Sequence, residues 1–189
     1  MKNQLLASSS KPIVLIGLMG AGKTRIGRLL AGHLALPFSD ADEEIAKAAG
    51  MSVEDIFTTY GETAFRECEQ KVIARLLGAG RRVIATGGGA VMNPATRERL
   101  QSQALSVWLR ADLDILVERT SRRGGRPLLK GRDIRATLAD LMAARYPIYG
   151  EADVVVDTSS DPPERTVQHV LSALTSFLDA RAGPEDSAL

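Results

Sequence analysis

Residues 17–24, Gly17-Leu18-Met19-Gly20-Ala21-Gly22-Lys23-Thr24, match the pattern G-x-x-x-x-G-K-[ST]. Glycines at these spacings let the backbone curl so that successive N–H groups face inward, toward phosphate oxygens. A helix that follows adds its positive end, the lysine reaches β- and γ-phosphates, and the Ser/Thr hydroxyl ligates Mg²⁺. At average residue frequencies, a chance match in a chain of this length has a probability below about 1%. The context supports the match, because the apolar run Ile13–Ile16 precedes it and Ile26, Leu29 and Leu30 follow at helical spacing. Gly20, Ala21, Gly22, Lys23 and Thr24 are therefore expected to hold a nucleotide's phosphates. Such loops also serve switches, motors and regulators, so a phosphoryl acceptor must be sought in the rest of the chain.

The remaining pattern alternates strand and helix. Ile13–Ile16, Val83–Ala85, Leu105–Leu109 and Val154–Val156 read as buried strands, mostly continuous in apolar character, and a short strand ends at Phe38–Asp40. Helical stretches are expected at about 23–35, 41–49, 53–60, 62–77, 94–102, 112–122, 133–146 and 163–180. Ser52 with Asp55 forms a capping-box pattern, and Asp112, Asp133 and Asp161-Pro162-Pro163 make good helix starts. The order implies a parallel α/β sheet with right-handed crossovers.

Four downstream features carry acceptor chemistry. Asp40 and Asp42 stand at i and i+2 after Phe38, which in extended backbone directs both carboxylates to one face. One of them can then hold Mg²⁺ through water while the other accepts hydrogen bonds from a hydroxyl; equally, either can simply cap the next helix. Arg66 and Glu69 are helical neighbours, giving either a surface ion pair or an arginine braced to grip a carboxylate. Gly87-Gly88-Gly89 after the strand Val83–Ala85 allows close backbone approach to a ligand. Between Arg119 and Arg135, seven basic residues face one acid, Asp133, around Gly124-Gly125 and Pro127. Such a cationic flap suits the charge that builds on a transferring phosphoryl group and excludes water on closing. No aromatics interleave with these arginines, which argues against a nucleic-acid patch.

At 189 residues and a net charge of +1, the chain reads as one domain with no global pull toward nucleic acid or anionic membrane. A single cysteine, Cys68, suits a reducing compartment. The apolar stretch near the N-terminus is too short for a signal-peptide core, and no run approaches the roughly 20 residues that span a bilayer. A cytoplasmic monomer is expected, with a flexible arm at 1–11, a domain at 12–181 and a tail at 182–189. Within the domain, a substrate-binding region is placed at about 40–80 and a lid at about 120–133. His33, His169, Trp108 and Cys68 are assigned structural roles.

Taken together, these segments resemble the shikimate kinases, a family with a nucleoside-monophosphate-kinase-like P-loop fold. The resemblance rests on the Gly17–Thr24 loop, Phe38-Ser39-Asp40-Ala41-Asp42, Asp55-Ile56-Phe57, Gly61-Glu62 with Phe65-Arg66 and Glu69, Gly87-Gly88-Gly89, Arg126-Pro127-Leu128-Leu129 and Arg145-Tyr146-Pro147-Ile148-Tyr149. It covers about residues 12–175. It implies a three-layer α/β/α fold with a central parallel sheet of about five strands and a mobile basic lid. The implied reaction is transfer of the γ-phosphoryl of ATP to the 3-hydroxyl of shikimate.

The resemblance also implies residue roles. Lys23, Asp42 and Arg126 are catalytic, with Asp42 the general-base candidate, and Thr24 and Asp40 serve Mg²⁺. Arg66 and Arg145 clamp the shikimate carboxylate, while Gly87, Gly88 and Gly89 contact it through backbone. Arg119 lies against adenine and Arg126 reaches the phosphates. Arg25 departs from the family pattern, which usually has a hydroxyl residue there, and its side chain is expected on the nucleotide side. A gluconate kinase, a nucleoside monophosphate kinase or a non-catalytic P-loop regulator remain the alternatives at this point.

Overall fold

A computed structural model describes residues 6, 9–122 and 133–182. Five strands, β1 (Ile13–Ile16), β2 (Phe38–Asp40), β3 (Val83–Ala85), β4 (Leu105–Ala111) and β5 (Val154–Thr158), form one sheet in the order β2-β3-β1-β4-β5. Every pairing is parallel, and β1 lies between β3 and β4 with Ile13 opposite both Val83 and Leu105. The connecting helices are α1 (Lys23–Leu34), α2 (Ala41–Ala49), α3 (Val53–Gly78), α4 (Pro94–Gln103), α5 (Leu113–Ser121), α6 (Ile134–Tyr149) and α7 (Pro163–Ala182). A 3₁₀ turn spans Ala90–Met92. The result is the three-layer α/β/α arrangement, with the carboxyl ends of all five strands on one rim.

The sequence pattern and the packing agree most closely at the sheet centre. All residues of β1 and β3 are buried, because helices cover both faces there. The margin differs from expectation. Strand β5 alternates, with Val155 40% exposed and Asp157 outward, since one face of this edge strand meets solvent. Asp157 there pairs with Arg110 of β4 through two hydrogen bonds of 2.5 and 2.8 Å.

Helix starts follow local chemistry. Ser52 Oγ accepts from the Asp55 N–H at 3.1 Å and also donates to the Asp55 carboxylate at 2.6 Å. Asn93 and Asp133 cap α4 and α6 through the Thr96 and Ala136 N–H groups. The two helices expected at 53–60 and 62–77 form one element interrupted at Gly61, whose φ of 82° and ψ of 175° lie outside helical space. Helix α6 runs on through Pro147 to Tyr149 instead of ending at 146. The proline removes one donor, yet the turn closes with the Gly150 N–H on the Tyr146 carbonyl at 3.0 Å.

Arg126, most of the expected lid and the residues after Ala182 lie outside the described residues. Within the expected N-terminal arm, Leu6 is 1% exposed in the hydrophobic core, and Arg81 donates to its carbonyl. Truncating a leucine so enclosed removes its transfer energy and leaves a void. Leu6→Ala is expected to lower unfolding free energy by about 2–4 kcal/mol, read by urea titration.

Candidate active site

The rim at the strand carboxyl ends opens into one cavity of about 870 Å³. Residues of the Gly17–Thr24 loop line one end, and Asp42, Phe57, Phe65, Arg66, Glu69, Gly87–Gly89 and Arg145 line the other. Parallel register places both there, since each loop leaving a strand emerges on this side.

The loop between β1 and α1 is held in a conformation that glycine alone adopts freely. Gly17, Gly20 and Gly22 have φ of 141°, 86° and 93°. Helix α1 begins at Lys23 with no side-chain cap, unlike α2, α3, α4 and α6, and with no acidic residue in its first turn. Its first N–H groups are thereby left to an anion. Lys23 Nζ folds back on the Gly17 and Leu18 carbonyls at 2.7 and 2.9 Å, which bends the ammonium over the loop.

Asp40 takes the capping role that the sequence offered and is also tied to the phosphate loop. One oxygen accepts from the Asp42 N–H at 3.0 Å and caps α2; the other accepts from Thr24 Oγ1 at 2.7 Å. With its proton on Asp40, the Thr24 oxygen keeps its lone pairs for a cation. Asp42 itself lies in the first turn of α2 and not in extended backbone, so the strand-face argument for the pair does not hold. Helix geometry, not strand alternation, brings Asp42 to the cavity. Its Oδ1 lies 3.1 Å from where a Cβ on Gly87 would stand.

Around the acceptor end the charges are braced. Arg66 Nη1 donates to Glu69 at 2.7 Å, its Nε and Nη2 donate to Glu62 at 3.3 and 3.1 Å, and its guanidinium lies 5.1 Å from the Phe65 ring centre. Burial works against the charge on Arg66, and the two carboxylates outweigh it, so its pKa is raised. Glu69 is 3% exposed; burial pushes its pKa up, with nearby Asp42 adding to the shift and Arg66 opposing it. Its Oε1 has no hydrogen-bond partner among the described residues. A buried carboxylate oxygen in that condition is a place for a donor. Arg145, 9% exposed, reaches the same region from α6.

The three glycines leave room for these groups. A Cβ on Gly87 would lie 2.7 Å from Glu69 Oε1, one on Gly88 3.2 Å from Arg145 Nη1, and one on Gly89 2.6 Å from Arg66 Nη1 and Nη2. At the nucleotide end, Arg119 donates to the Gly20 carbonyl at 3.4 Å and to the Ser159 carbonyl, tying α5 to the phosphate loop. Burial, with a smaller contribution from nearby Arg25, pushes the Arg119 pKa down. Arg25 lines the same end of the cavity.

A protein-family model described as shikimate kinase matches residues 19–175. The chain belongs to the shikimate kinase family. Membership makes it an ATP-dependent kinase. Among curated relatives, the shikimate kinase of Paramagnetospirillum magneticum is 53% identical, over 89% of this chain and 87% of its own length. That of Rhodopseudomonas palustris is 49% identical over 92% and 86%. Among solved structures, a shikimate kinase from Acinetobacter baumannii in complex with shikimate superposes with a TM-score of 0.87 at 35% identity, covering 90% of this chain and 96% of that one. A gluconokinase from Sinorhizobium meliloti gives a TM-score of 0.59 at 19% identity, a likeness of fold alone.

Every described residue expected at this shikimate kinase site lines the cavity: Gly20–Arg25, Asp40, Asp42, Arg66, Gly87–Gly89, Arg119 and Arg145. Two things escaped the sequence reading. The orphaned Oε1 of Glu69 is one, since Glu69 was read only as a brace for Arg66. The other is Tyr149, quoted in a motif but given no role, whose hydroxyl donates to the Gly88 carbonyl. Its position five residues into Arg145-Tyr146-Pro147-Ile148-Tyr149 offered a signal, since i and i+4 share a helix face.

Because a Cβ at Gly89 displaces the Arg66 guanidinium, Gly89→Ala is expected to raise the KM for the carboxylated acceptor about tenfold or more. The KM for ATP is expected to change less than about threefold, with both read from initial-rate titrations.

Proposed function

We propose that this chain transfers the γ-phosphoryl group of ATP to the 3-hydroxyl of shikimate, giving shikimate 3-phosphate and ADP. The observation that carries this reading is the acceptor end of the cavity. Two arginines, two carboxylates and a run of glycines converge there, opposite a phosphate loop. An acceptor that fits must bring an anion for Arg66 and Arg145 and hydroxyl donors for Asp42 and Glu69 Oε1. Shikimate, a small carboxylated polyol, has both.

The residue roles follow from position. The loop N–H groups and Lys23 would hold the β- and γ-phosphates, with Arg126 as the lid's contribution to the transferring group. Arg25 and Arg119 would serve the nucleotide's outer end. Asp42 would orient the acceptor hydroxyl and take its proton, and the Arg66–Arg145 clamp would fix the ring for in-line attack. Phosphoryl transfer asks little covalent chemistry of a protein, so positioning and charge compensation dominate.

The donor set fits Mg²⁺. A threonine hydroxyl already polarised by the Asp40 carboxylate at 2.7 Å is a hard-oxygen environment. Among the described residues no group of three or more His, Cys, Asp or Glu could hold a metal by itself. Thr24 and Asp40 would thus share the cation with the phosphates, and Mg²⁺ when bound neutralises charge developing on the bridging oxygens. A monomer is the proposed working unit. The cytoplasm is the proposed compartment; among the described residues no helix is long and apolar enough to cross a membrane.

The test is ADP release with ATP and Mg²⁺, comparing shikimate, gluconate, AMP and CMP as acceptors. Shikimate-dependent turnover that EDTA abolishes is the expected result. Preference for another acceptor, or equal ADP release without one, overturns the assignment. In the same assay Asp42→Asn is expected to lower kcat by about 10²–10⁴-fold and to raise the KM for shikimate. Near-normal turnover and affinity in that variant would remove Asp42 from the mechanism.

A further inference from the structure

We propose that Tyr149 is a positioning residue that holds the glycine loop in place beside the carboxylate-side arginine, and so sets acceptor affinity. This rests on the functional reading above and adds a residue to it.

Tyr149 is fully buried at the end of α6, one helical turn beyond Arg145. Its hydroxyl donates to the Gly88 carbonyl, which can only accept. Arg145 stands at the same place: a Cβ on Gly88 would lie 3.2 Å from Arg145 Nη1 and 3.6 Å from the Tyr149 oxygen. Burial raises the phenol pKa to about 12, so the proton stays in place throughout the range in which the enzyme works.

The ring is fixed as firmly as the hydroxyl. Trp108, from the sheet, meets it edge-on with centroids 5.8 Å apart, and Tyr146 packs beside it at 6.1 Å. Tyr146 is itself tied to the Ala111 carbonyl at 2.6 Å and lies 4.8 Å from Trp108. The aromatic group thus refers Tyr149 to β4, while its oxygen fixes Gly88 next to Arg145. A peptide plane follows its carbonyl, so holding the Gly88 oxygen also orients the Gly89 N–H. Continuation of α6 through Pro147 is what delivers Tyr149 to this point; a helix stopping at 146 would leave the Gly88 carbonyl without this donor.

The titratable and charged groups around the phenol are few. Arg145 shares its helix, Tyr146 flanks it, and Arg66 acts from α3. None of them replaces the missing hydroxyl when it is removed.

The experiment uses the full chain, with Tyr149→Phe and Arg145→Ala made singly and together. Phenylalanine keeps the ring and its packing on Trp108, so the thermal midpoint is expected within a few degrees of the parent. The KM for the acceptor that the wild type phosphorylates is expected to rise about tenfold in Tyr149→Phe. The KM for ATP and kcat are expected within about threefold of the parent. In the Arg145→Ala background, Tyr149→Phe is expected to add less than its effect alone, because the two residues act as one unit.

An unchanged acceptor KM in Tyr149→Phe overturns the proposal. So does an equal rise in both substrates' KM, which marks a general loss of structure, and so does full additivity of the two substitutions. If the wild type ignores shikimate, the functional reading fails, and the same comparison with its true acceptor still decides the role of Tyr149.

Discussion

The position of β1 at the middle of an all-parallel sheet governs everything else in this molecule. Its neighbours β3 and β4 pair with it in register from Ile13 onward, so the three strands start at one level, β1 and β3 end within a residue of each other, and β4 runs on to Ala111. Loops from three different stretches of chain then meet within reach of one another. The phosphate loop follows β1, the triple glycine follows β3, and β2 delivers Asp40 on the far side of β3. Hydrophobic burial of strands that carry no catalytic group thereby assembles a site from residues scattered between positions 17 and 145. An antiparallel sheet of the same residues would divide these loops between its two ends.

On that frame, the two ends of the cavity are built by different means. The nucleotide end relies on backbone: glycines with positive φ, an uncapped helix start and a lysine folded over the carbonyls of its own loop. It asks little of side-chain identity. The acceptor end relies on side chains in contact. Glu69 is buried to brace Arg66, Gly87–Gly89 lack side chains to make room, and Asp42 comes in from a helix. A site of this kind discriminates, because a ligand lacking the complementary charge leaves buried groups unpaired.

The same contrast explains what the sequence disclosed. The phosphate loop was legible because its chemistry lies in eight consecutive residues. Asp40, Arg66 and the triple glycine were legible because each sits beside a strand end or at helical spacing from its partner. The strand order was not, since four pairings between distant segments decide it. Asp42 reaches the cavity by another route than strand alternation: the helix-starting tendency of Asp40 wins over continuation of β2. Helix α6 was ended too early because proline usually stops a helix, whereas packing of Tyr146 and Tyr149 against Trp108 carries the last turn past it. β5 looked continuous in its apolar run, and its edge position, a property of topology alone, made it alternate.

The aromatic group behind the acceptor clamp has a spectroscopic consequence. Trp108 is the sole tryptophan of the chain and is 6% exposed. It faces both Tyr146 and Tyr149, and the Arg110 guanidinium lies 5.6 Å from its ring centre. Ultraviolet emission excited at wavelengths beyond tyrosine absorption therefore comes from one fixed place, a single tyrosine removed from the Gly88 carbonyl. The native chain carries its own optical probe next to the carboxylate-binding side of the cavity, and no dye or engineered label is needed to watch that side respond.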